Sequence, residues 1–548
     1  MRFNIILLLG FFLSICHKGK TFHEVNGFNQ VTRSSQWKNV DEMFLYCNAN
    51  NIDLIIDKDI YINKRIKCKV NVLGEARIII DTKFKDAGID FVRDDEGRKI
   101  NYNKKIEKFQ KLSFVKDKHV YFINSSQILT NRKDNAPYLK NEFLLQSQDV
   151  SNLTSYAYEG NINIIEFKLS DERIAKNLNV VIVGDEMSND DGLAFIRNYR
   201  DNMKFLFLQI RNQTKFKLSV GFENATNYNT VMENPVINGF YKAGSGYGIA
   251  NYSSREFRIT GGRITNCRHA YTGRNTFNVT IKNGYFSDGI DDHWTDNFVA
   301  DAVTISAAEG GAAFQFAGNN ITINKPIVVG TARILLGIRE DTPFLGGKVK
   351  IIEPSFTSEL SSDIYIFAGT TPNANFENSP EQEIKMPDIL EISSPKIKSN
   401  ASKIFIIYQP EIRKKFISYP EIRLTGTIII DTNKNPDVFG VLTIKNSIFQ
   451  LNKMNINVDS FNLKKVGAMN ATLIYCVESD GNNKLASNVL INNTRGWDNI
   501  KIVGKSVENL KITNSFFPKL LLEKNSLNDM KSSFDKTAFG NYDEISKK

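Results

Sequence analysis

The sequence predicts an all-β chain wound as a right-handed parallel β-helix, a solenoid with a short N-terminal capping helix and loop insertions. Three observations predict it. First, a short template recurs in the second half of the 548-residue chain: apolar, any, apolar, four of any kind, apolar. It is met at Phe257 (FRITGGRI), Val279 (VTIKNGYF), Phe298 (FVADAVTI), Ile321 (ITINKPIV) and Val349 (VKIIEPSF), then at Leu390, Ile422, Leu442 and Leu510. The first four intervals are 22, 19, 23 and 28 residues, a period suited to one solenoid coil. Second, Phe and Tyr are plentiful, and short Asn-rich loops separate the apolar runs, which favours strands over helices. Third, Asn283, Asn446 and Asn514 fall at the same place in their copies, where stacked side chains can form a hydrogen-bonded ladder. No such coil can bury its apolar face alone, so neighbours stack around one core. Leucine-rich repeats share the period, but their Leu-spaced consensus is absent. A helical solenoid would need a periodicity of about 3.6 residues, which is not found.

Taken in order, residues 1–20 predict a signal peptide. Arg2 precedes an apolar run from Ile5 to Cys16, and His17-Lys18 resume polar sequence. The run is too short to span a bilayer, so a secreted, periplasmic or cell-surface location is expected. Leu13-Ser14-Ile15-Cys16 hints at lipidation, although Ile15 stands where a small residue is needed. Residues 21–80 should hold a capping helix, with apolar residues at helical spacing over Val40–Asn51, and the first coils. Residues 81–235 are expected to form irregular coils with a charged insertion, and 236–525 regular coils. Loops are expected at Ala374–Pro387 and Gly330–Lys348, and 526–548 should form a polar tail that frays.

Composition narrows the chemistry. Cys47, Cys68, Cys267 and Cys476 are too few and scattered for a disulfide framework, leaving a Cys47–Cys68 pair or two buried thiols. No CxxC or paired-His spacing exists, which argues against structural zinc. A net charge of +10 suits an acidic partner: uronic-acid or sulfated polysaccharide, anionic membrane or nucleic acid. A Lys-rich solvated surface would give the same balance, since the lysines form no block.

The reactive side chains gather within Phe257–Val328. His269 and His293 are separated by 293 − 269 = 24 residues, about one coil, so they are expected to stack. On an extended strand Asp291 shares the side of His293, while Asp292 and Trp294 point away, as Arg268 does from His269. Asp288 lies just before, in a Ser-Asp-Gly turn.

Gly246-Tyr247-Gly248-Ile249, then Cys267-Arg268-His269-Ala270, then Asp291-Asp292-His293 one coil later, resemble the pectin-lyase-like β-helix superfamily. The resemblance is to its secreted and phage-borne members, many of them tailspike-type polysaccharide depolymerases. It covers residues 240–330, more weakly the N-terminal cap, and implies a β-helix, a carbohydrate ligand and, as often in that superfamily, a homotrimer. The signal peptide departs from the phage pattern. Since the superfamily includes lyases, hydrolases, epimerases and inactive members, the reaction stays open.

In a lyase, His269 or His293 would be the base and Arg268 or Arg274 would hold the uronate carboxylate. In a glycosidase, two carboxylates among Asp288, Asp291, Asp292, Asp296, Asp301 and Glu309 would flank the bond. Alternatively the acidic cluster could bind Ca²⁺, although it lacks an EF-hand pattern and no other cofactor is indicated. A purely structural Asp291–His293 stack is the bland alternative. Trp294, Tyr271 and Tyr285 are candidate sugar platforms, and Tyr247 joins the substrate-binding set. The expected function is an exported β-helix protein that binds and cleaves an acidic polysaccharide, with lyase favoured over hydrolase. A non-catalytic β-helix for polysaccharide binding, assembly or adhesion is the alternative. Nucleic acid and a membrane span are not expected.

Overall fold

A computed structural model describes residues 30–101, 119–130, 142–146, 156–187, 194–307 and 311–339, and most of 342–545. The signal segment therefore lies outside the described residues. Among the described residues no helix is long and apolar enough to cross a membrane.

Forty-two strands join one network in which each strand pairs in parallel with its counterparts one coil below and above. The result is a right-handed parallel β-helix with three faces. Phe257 pairs with Val279, Val279 with Phe298, Phe298 with Ile321 and Ile321 with Val349. Val349 then pairs with Leu390, and Leu390 with Ile422. The template positions thus stack on one face, and all are buried in the shared core. The uneven intervals are coils of unequal length in constant register. One template copy does not belong: Ile422 pairs next with Ile456, and the column runs through Val489 to Leu510. Leu442 pairs instead with Tyr408 and Tyr475 on another face.

Corners are made by residues in the left-handed region, which Asn tolerates better than other side chains. Asn283 and Asn514 sit at such corners with φ of 54° and 50°, while Asn446 lies outside the described residues. The clearest corner ladder forms elsewhere: Asn320 Nδ2 donates to Asn297 Oδ1 at 3.1 Å, and Asn297 Nδ2 to Asn278 Oδ1 at 2.9 Å.

The N-terminal helix spans Val40–Asn50. Asn39 caps it by accepting from the amides of Asp41 and Glu42, whose carboxylates suit the positive helix end. Met43, Phe44 and Cys47 enter the core beside Leu54, closing the first coil. Cys47, Cys68 and Cys267 are buried free thiols, so the first two do not pair.

The stretch 81–235 divides in two. Four antiparallel strands, Arg98–Asn101, His119–Thr130, Glu142–Gln146 and Tyr156–Lys168, form a separate sheet. The solenoid continues beneath this excursion, because Ala175 pairs with Val72, Val180 with Ile78 and Ile196 with Ile89. From Arg173 onward the coils are regular. The junction is tied by Arg93–Asp201 and Arg200–Asp94 ion pairs, with the Arg93 guanidinium 4.2 Å from the Phe167 ring centroid.

Two further expectations change. Gly330–Lys348 is part of a coil and contributes the strand Ile334–Ile338, rather than forming a loop. The tail forms strands Lys531–Asp535 and Ala538–Ile545, which pair with Asn509–Thr513 and Phe516–Glu523. Most of the loop expected at Ala374–Pro387 lies outside the described residues.

Candidate functional site

The candidate residues lie on the third face, whose strands include Val220–Ala225, Tyr247–Tyr252, His269–Arg274 and Ile290–Asp301. Register decides which of them meet. Tyr247 pairs with His269, and Thr272 with Asp291, so this coil is 291 − 272 = 19 residues long. His269 therefore lies under Asp288, not under His293. Its Nδ1 stands 3.3 Å from the Asp288 carbonyl oxygen, and its ring stacks 6.1 Å from that of Tyr247. His293 follows Asp292, the partner of Gly273, and so occupies the place of Arg274 one coil on. The expected stack of two imidazoles does not form, because their 24-residue separation exceeds the coil by five positions.

Burial, reinforced by the Arg268 charge, pushes the His269 imidazole down to about 4. It is neutral at neutral pH. His293 has a different setting. Its Nε2 lies 3.5 Å from Asp291 Oδ2. Asp291 is 3% exposed, and its other oxygen is paired with the Arg339 guanidinium. Thr272 Oγ1 donates to Oδ2 at 3.4 Å. The buried carboxylate is therefore compensated and fixed beside the imidazole.

Asp292 points into the coil, where it ends a polar ladder. Asn198 Nδ2 donates to Asn224 Oδ1 at 2.9 Å, and Asn224 Nδ2 to Asn251 Oδ1 at 2.8 Å. The next place in the column is Gly273, which has no side chain to continue it. Tyr271 bridges the gap: its hydroxyl accepts from Asn251 Nδ2 at 3.1 Å and donates to Asp292 Oδ2 at 3.3 Å. Thr276 Oγ1 and the Trp294 amide donate to the same carboxyl at 2.9 and 3.1 Å. Burial pushes Asp292 up to about 8.

Several expectations are corrected by these placements. Tyr271 is buried in the core, so its ring is not a sugar platform. Trp294 is buried too, its ring 5.0 Å from that of Phe344. Asp292 is sealed from solvent and cannot meet a substrate. Asp288 stands at a corner with φ of 64°, and burial raises its carboxyl. Asp288, Asp291 and Asp292 thus face three separate surroundings, and among the described residues no group of three or more acidic, His or Cys side chains is placed to hold a metal ion. Asp296 and Asp301 accept from Asn319 and Asn324. Glu309 lies outside the described residues.

What does converge is a cavity of about 590 Å³ on the outer side of this face. Arg274 and His293 form one side, and Glu223 with Tyr199 the other. Tyr247 and Tyr252 border it, and Ala225, Thr226, Ser253, Thr272 and Asn275 complete the lining. Both tyrosines pack against the buried cluster of Ala194, Val220 and Ala250. The Tyr199 hydroxyl donates to Glu223 Oε1 at 3.0 Å. Burial and then the charge of Glu223 hold this phenol well above its usual range, and burial, followed by the neighbouring Tyr247 and Glu223, raises Tyr252. Arg268 sits at the rim, bonded to the Gly244 carbonyl and the Tyr247 hydroxyl at 3.3 and 3.4 Å. Glu223, Tyr199 and Tyr252 were not foreseen. A signal existed: Phe222-Glu223-Asn224, Ile249-Ala250-Asn251 and Ile290-Asp291-Asp292 occupy equivalent places, with the middle residue outward.

No protein-family model matches the sequence, and no curated protein matches it. Among solved structures, the chain is similar to the tailspike gp49 of Pseudomonas phage LKA1, with 12% identity and a TM-score of 0.48 over 83% of this chain and 74% of that one. It is also similar to the tailspike gp61 of Pseudomonas phage phi297, with 11% identity, a TM-score of 0.43 and coverage of 86% and 81%. The Gp54 tailspike of Acinetobacter baumannii bacteriophage AP22, solved in complex with a capsular saccharide, gives 11%, 0.39, 78% and 76%. Likeness at this level transfers neither ligand nor reaction.

Proposed function

We propose that this chain is an exported, carbohydrate-active β-helix protein that binds an acidic polysaccharide on its third face and cleaves it by elimination. One observation carries the reading: Arg274 and His293 line the same cavity, with His293 held by a buried Asp291. Arg274 would pair with a uronate carboxylate and draw charge from the adjacent carbon. His293 would take the proton from that carbon, Asp291 steadying the imidazolium that forms. A carbon–carbon double bond then forms as the glycosidic carbon–oxygen bond breaks. The protonated phenol of Tyr252 would supply the proton that the leaving oxygen needs.

Hydrolysis fits the cavity less well. Glu223 and Asp291 share a column with Ala250 and Thr272 between them. Three strand spacings put them about 14 Å apart, beyond the roughly 6.5–9.5 Å of an inverting pair. Asp291 is also engaged by Arg339 and Thr272.

The test is incubation with a panel of acidic polysaccharides, following unsaturated-uronate absorbance and reducing ends together. Both signals should rise. Reducing ends alone would identify a hydrolase, and binding without either product a non-catalytic carbohydrate-binding β-helix. His293→Ala should lower eliminative turnover by about 10²–10⁴-fold while polymer binding persists. Full activity in that variant would remove His293 as the base. Arg274→Ala should weaken binding as well as turnover.

A further inference from the structure

The two sides of the cavity carry opposite chemistry, and elimination uses only one of them. Glu223 takes no part in the proposed step, yet it is held in place by the Tyr199 hydroxyl at 3.0 Å. Its other oxygen accepts from no described residue, and Glu223 lines the cavity. In register, Glu223 stands two coils below Thr272 and Arg274 two coils above Ala225. The two groups are thus offset by about 10 Å across the coils and about 7 Å along the strand, a distance bridged by neighbouring sugars rather than one. The strand between them carries Ala250 and Tyr252, with Ala225 beside Glu223 and Thr272 beside Arg274 at the other two corners.

A homopolymer of uronate would set a second carboxylate near Glu223, and the like charges would repel. We infer that the cavity takes an alternating polymer of uronate and 2-amino sugar, with Arg274 on the carboxylate and Glu223 on the N–H of the neighbouring amino substituent. This rests on the cavity being the polysaccharide site. The shared feature is an N–H donor, from either an acetamido group or a free ammonium.

The test compares the full chain on three size-matched polymers: alternating N-acetylglucosamine–glucuronate, its N-deacetylated form and polygalacturonate. The alternating polymers should bind at least about tenfold more tightly than polygalacturonate. Glu223→Ala should erase that preference and leave polygalacturonate binding unchanged or stronger, whereas Arg274→Ala should weaken binding of all three. Glu223→Gln keeps an acceptor oxygen and the Tyr199 contact, which guards against a folding defect in the alanine variant. It should retain the preference for the acetylated polymer and lose it for the deacetylated one. Equal binding of all polymers by the native chain, or an unchanged preference in both Glu223 variants, overturns the inference. If polygalacturonate is bound and cleaved equally well, the acidic-polysaccharide reading stands and only the amino-sugar assignment falls. If no acidic polymer binds the folded chain, both fall.

Discussion

Asp292 is a carboxyl group standing at the end of a column of asparagines. Its proton is retained up to about pH 8 in the folded chain, against an ordinary value of 3.8. Between those limits the folded state binds more protons than the unfolded one, so this residue's stabilising contribution is complete below pH 4 and is lost as pH rises towards 8. Asp292→Asn, a neutral mimic of the protonated acid, should remove that slope. Denaturation midpoints at pH 5 and pH 9 should converge in the variant, with a gain at pH 9 on the order of 1–3 kcal/mol. His269 acts in the opposite sense. Its value falls from 6.5 to about 4 on folding, so its contribution is present above 6.5 and lost as pH falls through 4. His269→Gln should flatten the acid limb of the same stability profile. If neither substitution moves the pH of maximum stability, these two groups do not set it.

The column of Asn198, Asn224 and Asn251 is the element that lets a polar stripe live inside an apolar coil, because each amide satisfies the next. Its break at Gly273 is enforced: a Cβ there would lie 1.9 Å from Asp292 Oδ2. Gly273→Ala should therefore destabilise by about 1–3 kcal/mol, and Asn224→Ala by about as much through its orphaned neighbours. Both are measurable as shifts in denaturation midpoint. The same column explains what could be foreseen. From Phe257 onward most inward places are apolar, Asp292 being an exception, and the alternation exposed the coils directly. Between Ala194 and Ser254 inward places hold Asn198, Asn224 and Asn251, so the apolar period faded although the register did not. Glu223, Tyr199 and Tyr252 were lost in that blur. Leu442 misled in the other way, since LTIKNSIF fits the template by composition while its strand belongs to the third face. Local alternation gives the side of a strand, but only coil length gives the neighbour above. That is why the side shared by Asp291 and His293 was legible and the supposed contact of His269 with His293 was not.

Across the whole molecule, stability is shared between neighbouring coils rather than held by one centre. The antiparallel excursion leaves and re-enters at nearly one point: the Lys168 amide donates to Asp95 at 2.9 Å, and Gly97 abuts the Phe167 ring. Beneath it the coils pair without interruption. Replacing residues 98–166 by a short Gly/Ser linker should therefore preserve the β-helix, with polymer turnover within about threefold of the full chain and little change in circular dichroism. Loss of the folded state would mean that the excursion shares the core. Loss of turnover alone would mean that it reaches the substrate. Parallel stacking has a further effect on how such a binding face can change. The offset between Glu223 and Arg274 across the coils is a whole number of strand spacings, so one coil gained or lost between them would alter that component by about 4.8 Å at once. Recognition on this scaffold is quantised: its span moves in steps of one strand, with only side-chain rotamers left to adjust it more finely.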